Sequence, residues 1–245
     1  MSPSPAPRLL VVDDEPICRR AVVDLAQALG LPCDSAADGL AGLDLARARR
    51  YDLLLIDWRM PGLTGSELML ALRNDPEAAS AASTMVLVTG EAVDFEQERI
   101  RGFDAVLAKP LMPEQLRTLL GEAAASAVAS SADAAVQVLD DAVALAALGG
   151  SRELMQSLRQ MLMLELEADL ARMPVQLAEG AVLALRERLH QLTGGARYCG
   201  AASLAEAADQ LRQAVKAGLP TEQAWLQFER VARQTVAAIG AGAAA

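Results

Sequence analysis

Arg8-Leu-Leu-Val-Val-Asp-Asp-Glu15 places an unbroken apolar run directly before three carboxylates. Apolar residues at every position, rather than at alternate ones, fit a strand buried on both faces, the environment of a parallel sheet covered by helices. Two further runs share this character: Asp52-Leu-Leu-Leu-Ile56 ahead of Asp57, and Met85-Val-Leu-Val88 ahead of Thr89. Around them lie helical segments at 17–29, 39–50, near 65–73 and near 94–101, a weak strand near 33–36, a strand at 105–108 and a helix from Pro113. Strands alternating with helices predict an α/β domain, a doubly wound five-stranded parallel sheet, over residues 8–121.

Composition then changes. Residues 122–135 form an Ala/Ser-rich stretch with no apolar side chain larger than Val128, which reads as a linker. Beyond it the strand signal disappears, and helical periodicity fills 140–148, 151–179, 181–198, 201–217 and 221–239. Ser151 and Thr221 are suitable N-caps, and Gly218-Leu-Pro220 is a break. Long helices joined by short connections predict an all-α antiparallel bundle over residues 136–240. Residues 1–7 read as a disordered N-terminus and 241–245 as a tail.

The 245 residues are 53% apolar, enough for two cores. The net charge of −10 divides into −6 for residues 1–121 and −4 for the rest, so neither half carries the basic footprint of a nucleic-acid binder. Uncharged apolar runs fall short of the roughly 18 residues that suggest a membrane span, and Cys18, Cys33 and Cys199 have no paired or metal-like spacing. The expectation is a cytoplasmic protein with no nucleic-acid or membrane partner.

In an open parallel sheet, function gathers beyond the carboxyl ends of the strands. Here those ends carry Asp13-Asp14-Glu15, Asp57, Thr89 and Lys109. Carboxylates sharing one crevice repel each other unless a cation sits among them, and oxygen ligands with an open shell suit Mg2+. A carboxylate beside such a cation can attack a phosphoryl group, whose transfer asks mainly for charge neutralisation and alignment. Lys109, one of only two lysines in the chain, would place a compact positive charge on a phosphate oxygen.

The run Leu10-Val-Val-Asp-Asp-Glu-Pro16, then Leu54-Leu-Ile-Asp-Trp-Arg-Met-Pro-Gly62, Val86-Leu-Val-Thr89 and Leu107-Ala-Lys-Pro110, resembles the receiver domain of bacterial two-component response regulators over about residues 7–121. The resemblance implies a flavodoxin-like sheet of order 2-1-3-4-5. It implies Asp57 as phosphoacceptor, and Mg2+ held by Asp13, Asp14, Asp57 and the main-chain carbonyl of Arg59. Thr89 and Lys109 would contact the phosphoryl group. The family's switch aromatic, three residues before the lysine, is replaced by Val106, so rotation of an aromatic is not the readout here. Arg59 sets a long cation at the mouth of the site, where it either shields or attracts the acyl phosphate.

The only histidine, His190, lies in His190-Gln-Leu-Thr-Gly-Gly-Ala196, inside a helical stretch where two glycines cost about 2 kcal/mol relative to alanine. Gly194 is one turn beyond His190 and leaves the imidazole flanked by backbone, a landing site for another protein. A neutral imidazole can accept a phosphoryl group and pass it to a carboxylate, provided that it is exposed. This stretch, followed by Ser203-Leu-Ala-Glu-Ala-Ala-Asp-Gln-Leu-Arg-Gln-Ala214, resembles the histidine-containing phosphotransfer (HPt) domain over about residues 136–240. The resemblance makes His190 the phosphocarrier. Where many relatives carry lysine, three residues after the histidine, this chain has Thr193, so local positive charge falls to Arg186 or Arg197.

Together these features lead to a phosphorelay intermediate. No Gly-x-x-x-x-Gly-Lys or Gly-x-Gly-x-x-Gly accompanies them, so the phosphoryl group would come from a sensor histidine kinase or a small donor. It would leave to another regulator's aspartate, since no output domain follows, and the chain itself would not be an enzyme beyond handling its own aspartyl phosphate. Three alternatives stay open: a receiver that only gates a carrier serving other proteins, a phosphorylation-independent interaction module, and a haloacid-dehalogenase-like phosphatase. The last wants Asp-x-Asp-x-Thr where Asp13, Glu15 and Ile17 stand.

Overall fold

The computed structural model describes residues 6–90, 102–121 and 138–242. The helix expected near 94–101 and the linker at 122–135 lie outside them. Two compact units, Met1–Ala123 and Ala124–Ala245, make up the chain.

The first unit runs β1 (Leu9–Val12), α1 (Pro16–Ala28), β2 (Cys33–Ala36), α2 (Gly39–Ala48), β3 (Leu53–Asp57), α3 (Gly65–Arg73), β4 (Thr84–Thr89), β5 (Ala105–Ala108) and α4 (Pro113–Leu119). The strands form one parallel sheet in the order β2-β1-β3-β4-β5. Every residue of β1 and β3 is buried, as the continuous apolar runs require, whereas the edge strand β2 buries only Ala36 fully. Leu10 and Val12 of β1, Leu54 and Ile56 of β3, and Met85 and Leu87 of β4 join Leu68, Met69 and Leu72 of α3 in one core cluster. Position in the strand decides side: residues two apart share a face of the sheet.

Register sets the functional end. Val12 is level with Ile56, and Asp57 with Val88, so the residue after β1 and the last residue of β3 emerge side by side at the carboxyl edge. Neighbouring strands lie about 4.8 Å apart, which is what brings Asp13 and Asp57 together.

The second unit contains α5 (Asp141–Ala147), α6 (Arg152–Ala178), α7 (Val182–Tyr198), α8 (Ala202–Ala217) and α9 (Glu222–Gly242). Contacts run from α6 to α7, α7 to α8, α8 to α9 and α9 back to α6, with α5 against α6 and α7. Ser151 caps α6 through its side chain, as its sequence position suggests. Helix α6 continues through Pro174, and α9 reaches Gly242 rather than stopping at 239, because an Ala-rich end needs no apolar periodicity to stay helical. The α7–α8 turn depends on Gly200: its φ is +70°, its carbonyl accepts from Asp140 N at 2.9 Å, and a Cβ there would overlap the Asp140 carbonyl.

Candidate functional site

At the carboxyl edge of the sheet, one oxygen from each of Asp13, Asp14 and Asp57 lies within 4.8 Å of the other two. Asp13 and Asp57 are almost completely buried, and Asp14 is half-buried. Lys109, buried just past β5, sends its Nζ between them, 2.7 Å from Asp13 Oδ2 and 3.2 Å from Asp57 Oδ1. Its backbone N–H donates to the Thr89 carbonyl at 2.7 Å, tying the ends of β4 and β5 together. Thr89 itself is fully buried.

One ammonium against three carboxylates leaves an excess of negative charge in a dry place. Burial pushes the Asp57 carboxyl up to about 8; Lys109 opposes the shift, while Asp13 and Asp14 reinforce it. Lys109 is held well above its ordinary value by Asp13 and Asp57, against the cost of its burial. An all-oxygen donor set carrying surplus negative charge fits a hard divalent cation.

Glu15 departs from the sequence reading, which grouped it with the crevice carboxylates. It is the N-cap of α1, accepting from the backbone N–H of Ile17 and Cys18. Pro16 at the first helical position is the signal for that role. Burial raises the Glu15 carboxyl to about 7. Arg19, unremarked in the sequence, donates to the Asp13 carbonyl at 2.6 Å and so braces the loop that presents Asp13.

The other wall is the turn after β3. Trp58 N donates to Asp57 Oδ1 at 2.9 Å, and the exposed Arg59 lays its guanidinium over the Trp58 ring, 4.8 Å from the centroid. That stacking gives the cation at the mouth of the site a fixed station. Gly65, the first residue of α3, packs so close that a Cβ would overlap the Asp57 carbonyl oxygen. Gly65→Ala is therefore expected to lower stability by about 1–3 kcal/mol, read by denaturant unfolding; unchanged stability would show that the turn yields without cost. Val106 is half-buried against the core cluster.

His190 lies in the middle of α7 in the second unit, and its environment corrects an expectation. It is 9% exposed rather than open, and Gly194 beside it is buried. From Leu189 to Gly200 no residue of the chain is exposed, because this half of the helix is packed against α5, α6 and α8. Gly194, Gly195 and Ala196 on α7 and Ala205, Ala207 and Ala208 on α8 are buried small residues of the kind that let helices approach closely. The glycines thus serve helix packing before they serve a docking surface. Thr193 donates its hydroxyl to the Leu189 carbonyl at 2.8 Å. Arg186 and Arg197 are half-buried.

Two ion pairs absent from the sequence reading hold this helix. Arg188 reaches the wholly buried Asp169 at 2.8 Å and Glu165 at 2.9 Å on α6. Arg159 of α6 donates to the carbonyl of Cys199, the C-cap of α7.

Comparison with known proteins agrees with these two units. Residues 9–121 match the response regulator receiver domain and residues 157–242 the Hpt domain. Sensor protein GacS of Pseudomonas syringae pv. syringae is 30% identical over 90% of this chain, and the match spans 26% of GacS. The chain thus spans about a quarter of the length of that relative. The response regulator DivK of Brucella anthropi is 33% identical over 47% of this chain and 97% of its own length. Among solved structures, chemotaxis protein CheY4 of Vibrio cholerae aligns at 30% identity over 47% of this chain and 97% of its own, with a TM-score of 0.43. The chain belongs to the two-component signalling proteins, a response regulator receiver domain joined in one polypeptide to an Hpt domain.

Proposed function

We propose that this chain is a phosphorelay intermediate in which Asp57 accepts a phosphoryl group and His190 carries one to or from receiver aspartates. The observation that carries the reading is the cluster of Asp13, Asp14 and Asp57, with the Lys109 ammonium against Asp13 and Asp57. An oxygen of Asp57 attacks phosphorus as the bond to the donor's leaving group breaks, giving an acyl phosphate. The Lys109 ammonium turns from carboxylate to phosphoryl oxygen, and the Thr89 hydroxyl lies at the end of the neighbouring strand. Mg2+, held by Asp13, Asp14, Asp57 and the Arg59 carbonyl, would neutralise charge on the phosphoryl oxygens. His190 accepts at a ring nitrogen and returns the group to a carboxylate. The donor would be a sensor histidine kinase, the recipient a receiver domain, and the compartment the cytoplasm. Among the described residues no helix is long and apolar enough to cross a membrane.

The test is labelling by acetyl phosphate or a phosphorylated kinase, with Mg2+. A label lost in alkali belongs to an acyl phosphate, and one that is acid-labile but alkali-stable belongs to a phosphohistidine. Absence of both from the wild-type chain would leave an interaction module that works without phosphoryl transfer.

Stability should report the cation. Both Asp57 and Glu15 have folded-state values above their ordinary ones, so the folded state holds their protons more tightly than the unfolded state does. Their contribution is fully present below about pH 4 and is lost as pH rises towards about 7 to 8. The apo protein is expected to melt at progressively lower temperature across that window. Binding of Mg2+ to the ionised cluster opposes the loss, so the Mg2+-induced rise in Tm should grow with pH. A rise independent of pH, or none at millimolar Mg2+, would contradict the assignment.

Arg59 bears on the lifetime of the acyl phosphate. An exposed charge is worth up to about 1 kcal/mol, so Arg59→Ala is expected to change the phospho-Asp57 lifetime by up to about fivefold, in either direction. An unaltered lifetime would remove Arg59 from the chemistry.

A further inference from the structure

Helix α1 carries a cation at its unfavourable end. Pro16 holds the first helical position and Arg19 the fourth, and beyond the N-cap Glu15 the first turn has no acidic residue. The N-terminal end of a helix has a positive potential, so a guanidinium there is disfavoured unless another group holds it. Arg20, next in the chain, behaves as an ordinary surface arginine and pairs with Asp24 one turn ahead at 2.6 Å. Arg19 does otherwise. Helical side chains lean towards the N-terminus, and the half-buried Arg19 reaches back six residues to donate from Nη1 to the Asp13 carbonyl at 2.6 Å.

That carbonyl belongs to the peptide group joining Asp13 to Asp14. A peptide group is planar, so fixing the direction of its oxygen fixes the plane from which Asp14 leaves the chain. Asp13 itself is pinned elsewhere: its N–H donates to the Ala36 carbonyl at 3.2 Å, its Oδ1 accepts from Glu15 N at 3.0 Å, and its Oδ2 lies 2.7 Å from Lys109 Nζ. Those contacts hold the first carboxylate. The Arg19 bond acts on the Asp13–Asp14 peptide, and so on the second.

We propose that Arg19 is a positioning residue for the cation site: by holding the Asp13 carbonyl it aims the Asp14 carboxylate into the crevice, where one oxygen of Asp14 lies within 4.8 Å of one from each of Asp13 and Asp57. This rests on the cluster being the Mg2+ site proposed above. The sign of the effect separates positioning from charge. Arg19 is a cation beside an acidic site and repels a divalent ion, so by Coulomb's law alone its removal tightens Mg2+ binding. As a positioning group its removal loosens binding, because a metal ligand that is no longer oriented must be ordered by the ion itself.

The experiment titrates the full chain with Mg2+, by calorimetry and by the fluorescence of Trp58, which adjoins Asp57. Arg19→Met keeps the length and the apolar stem without charge or donor, and is expected to raise the Kd for Mg2+ by about tenfold, the scale on which groups that orient metal ligands act. Arg19→Gln, neutral and shorter, is a second variant with the same expectation. Arg19→Lys keeps a charge and an N–H that can approach the carbonyl, and is expected to recover most of the affinity. Thermal unfolding without Mg2+ accompanies each titration, so that affinities are compared between folded chains. Binding by Arg19→Met and Arg19→Gln as tight as wild type or tighter would overturn the inference and leave the metal site standing. So would binding by Arg19→Lys as weak as by Arg19→Met. No Mg2+ response from the wild-type chain would remove the metal site and this inference with it.

Discussion

An Asp57→Ala chain is expected to take no alkali-labile label from acetyl phosphate or from a phosphorylated kinase, a loss of about a thousandfold or more, the scale on which removal of a nucleophile acts. Asp13 is the nearest alternative acceptor, but it is tied to Lys109 at 2.7 Å and its Oδ1 already accepts from Glu15 N at 3.0 Å. Asp57 alone combines a strand-end position, the Lys109 contact at 3.2 Å and a backbone donor in Trp58 N. The same substitution should not unfold the protein. A carboxyl raised to about 8 is poorly accommodated when ionised, so removing it at neutral pH relieves desolvation, and Lys109 keeps Asp13 as its partner. Melting near neutral pH is therefore expected to be unchanged or slightly higher, with a shallower pH slope than wild type. An alkali-labile label persisting in Asp57→Ala would move the acceptor to Asp13 or Asp14. Asp57→Asn, which keeps the side-chain volume, guards against a loss caused by a cavity.

The sheet could be read because each central strand is apolar at every position and ends in a polar residue, so element, burial and functional edge are written in one short run. The pairing of Asp13 with Asp57 follows once the order β2-β1-β3 and an in-register parallel pairing are granted. Glu15 shows where local reading fails: adjacency to two crevice carboxylates outweighed Pro16, although a residue preceding an N1 proline is well placed to cap. His190 shows a second failure of a different kind. Glycines in a helix report that space is needed but not on whose behalf, and here the buried position of Gly194 and Gly195 answers to the packing of α7 rather than to solvent. Gly65, Arg159 and Arg188 depend on partners distant in sequence, such as Asp169 for Arg188, which periodicity does not report.

His190→Gln is expected to remove the acid-labile, alkali-stable label completely while leaving the alkali-labile label on Asp57 intact. Glutamine suits the test because the position is only 9% exposed, where a charged replacement would pay for burial and confuse lost chemistry with lost folding. No other residue can take over, since His190 is the only histidine in the chain. Used beside Asp57→Ala, the variant also decides the direction of traffic. If wild type gains an acid-labile, alkali-stable label from acetyl phosphate and Asp57→Ala does not, the group on His190 has come through Asp57, with the covalent connection between the two domains supplying the effective concentration. If Asp57→Ala is labelled on His190 as readily as wild type when a phosphorylated foreign receiver is supplied, the carrier serves other proteins and the receiver domain only gates it. Near-complete covering of the imidazole favours transfer inside a docked complex over transfer from a small donor, because a partner's surface can complete a pocket that free solvent only competes for. Direct labelling of His190 by acetyl phosphate should therefore be slower than labelling through a receiver, and equal rates would show that the covering presents no barrier.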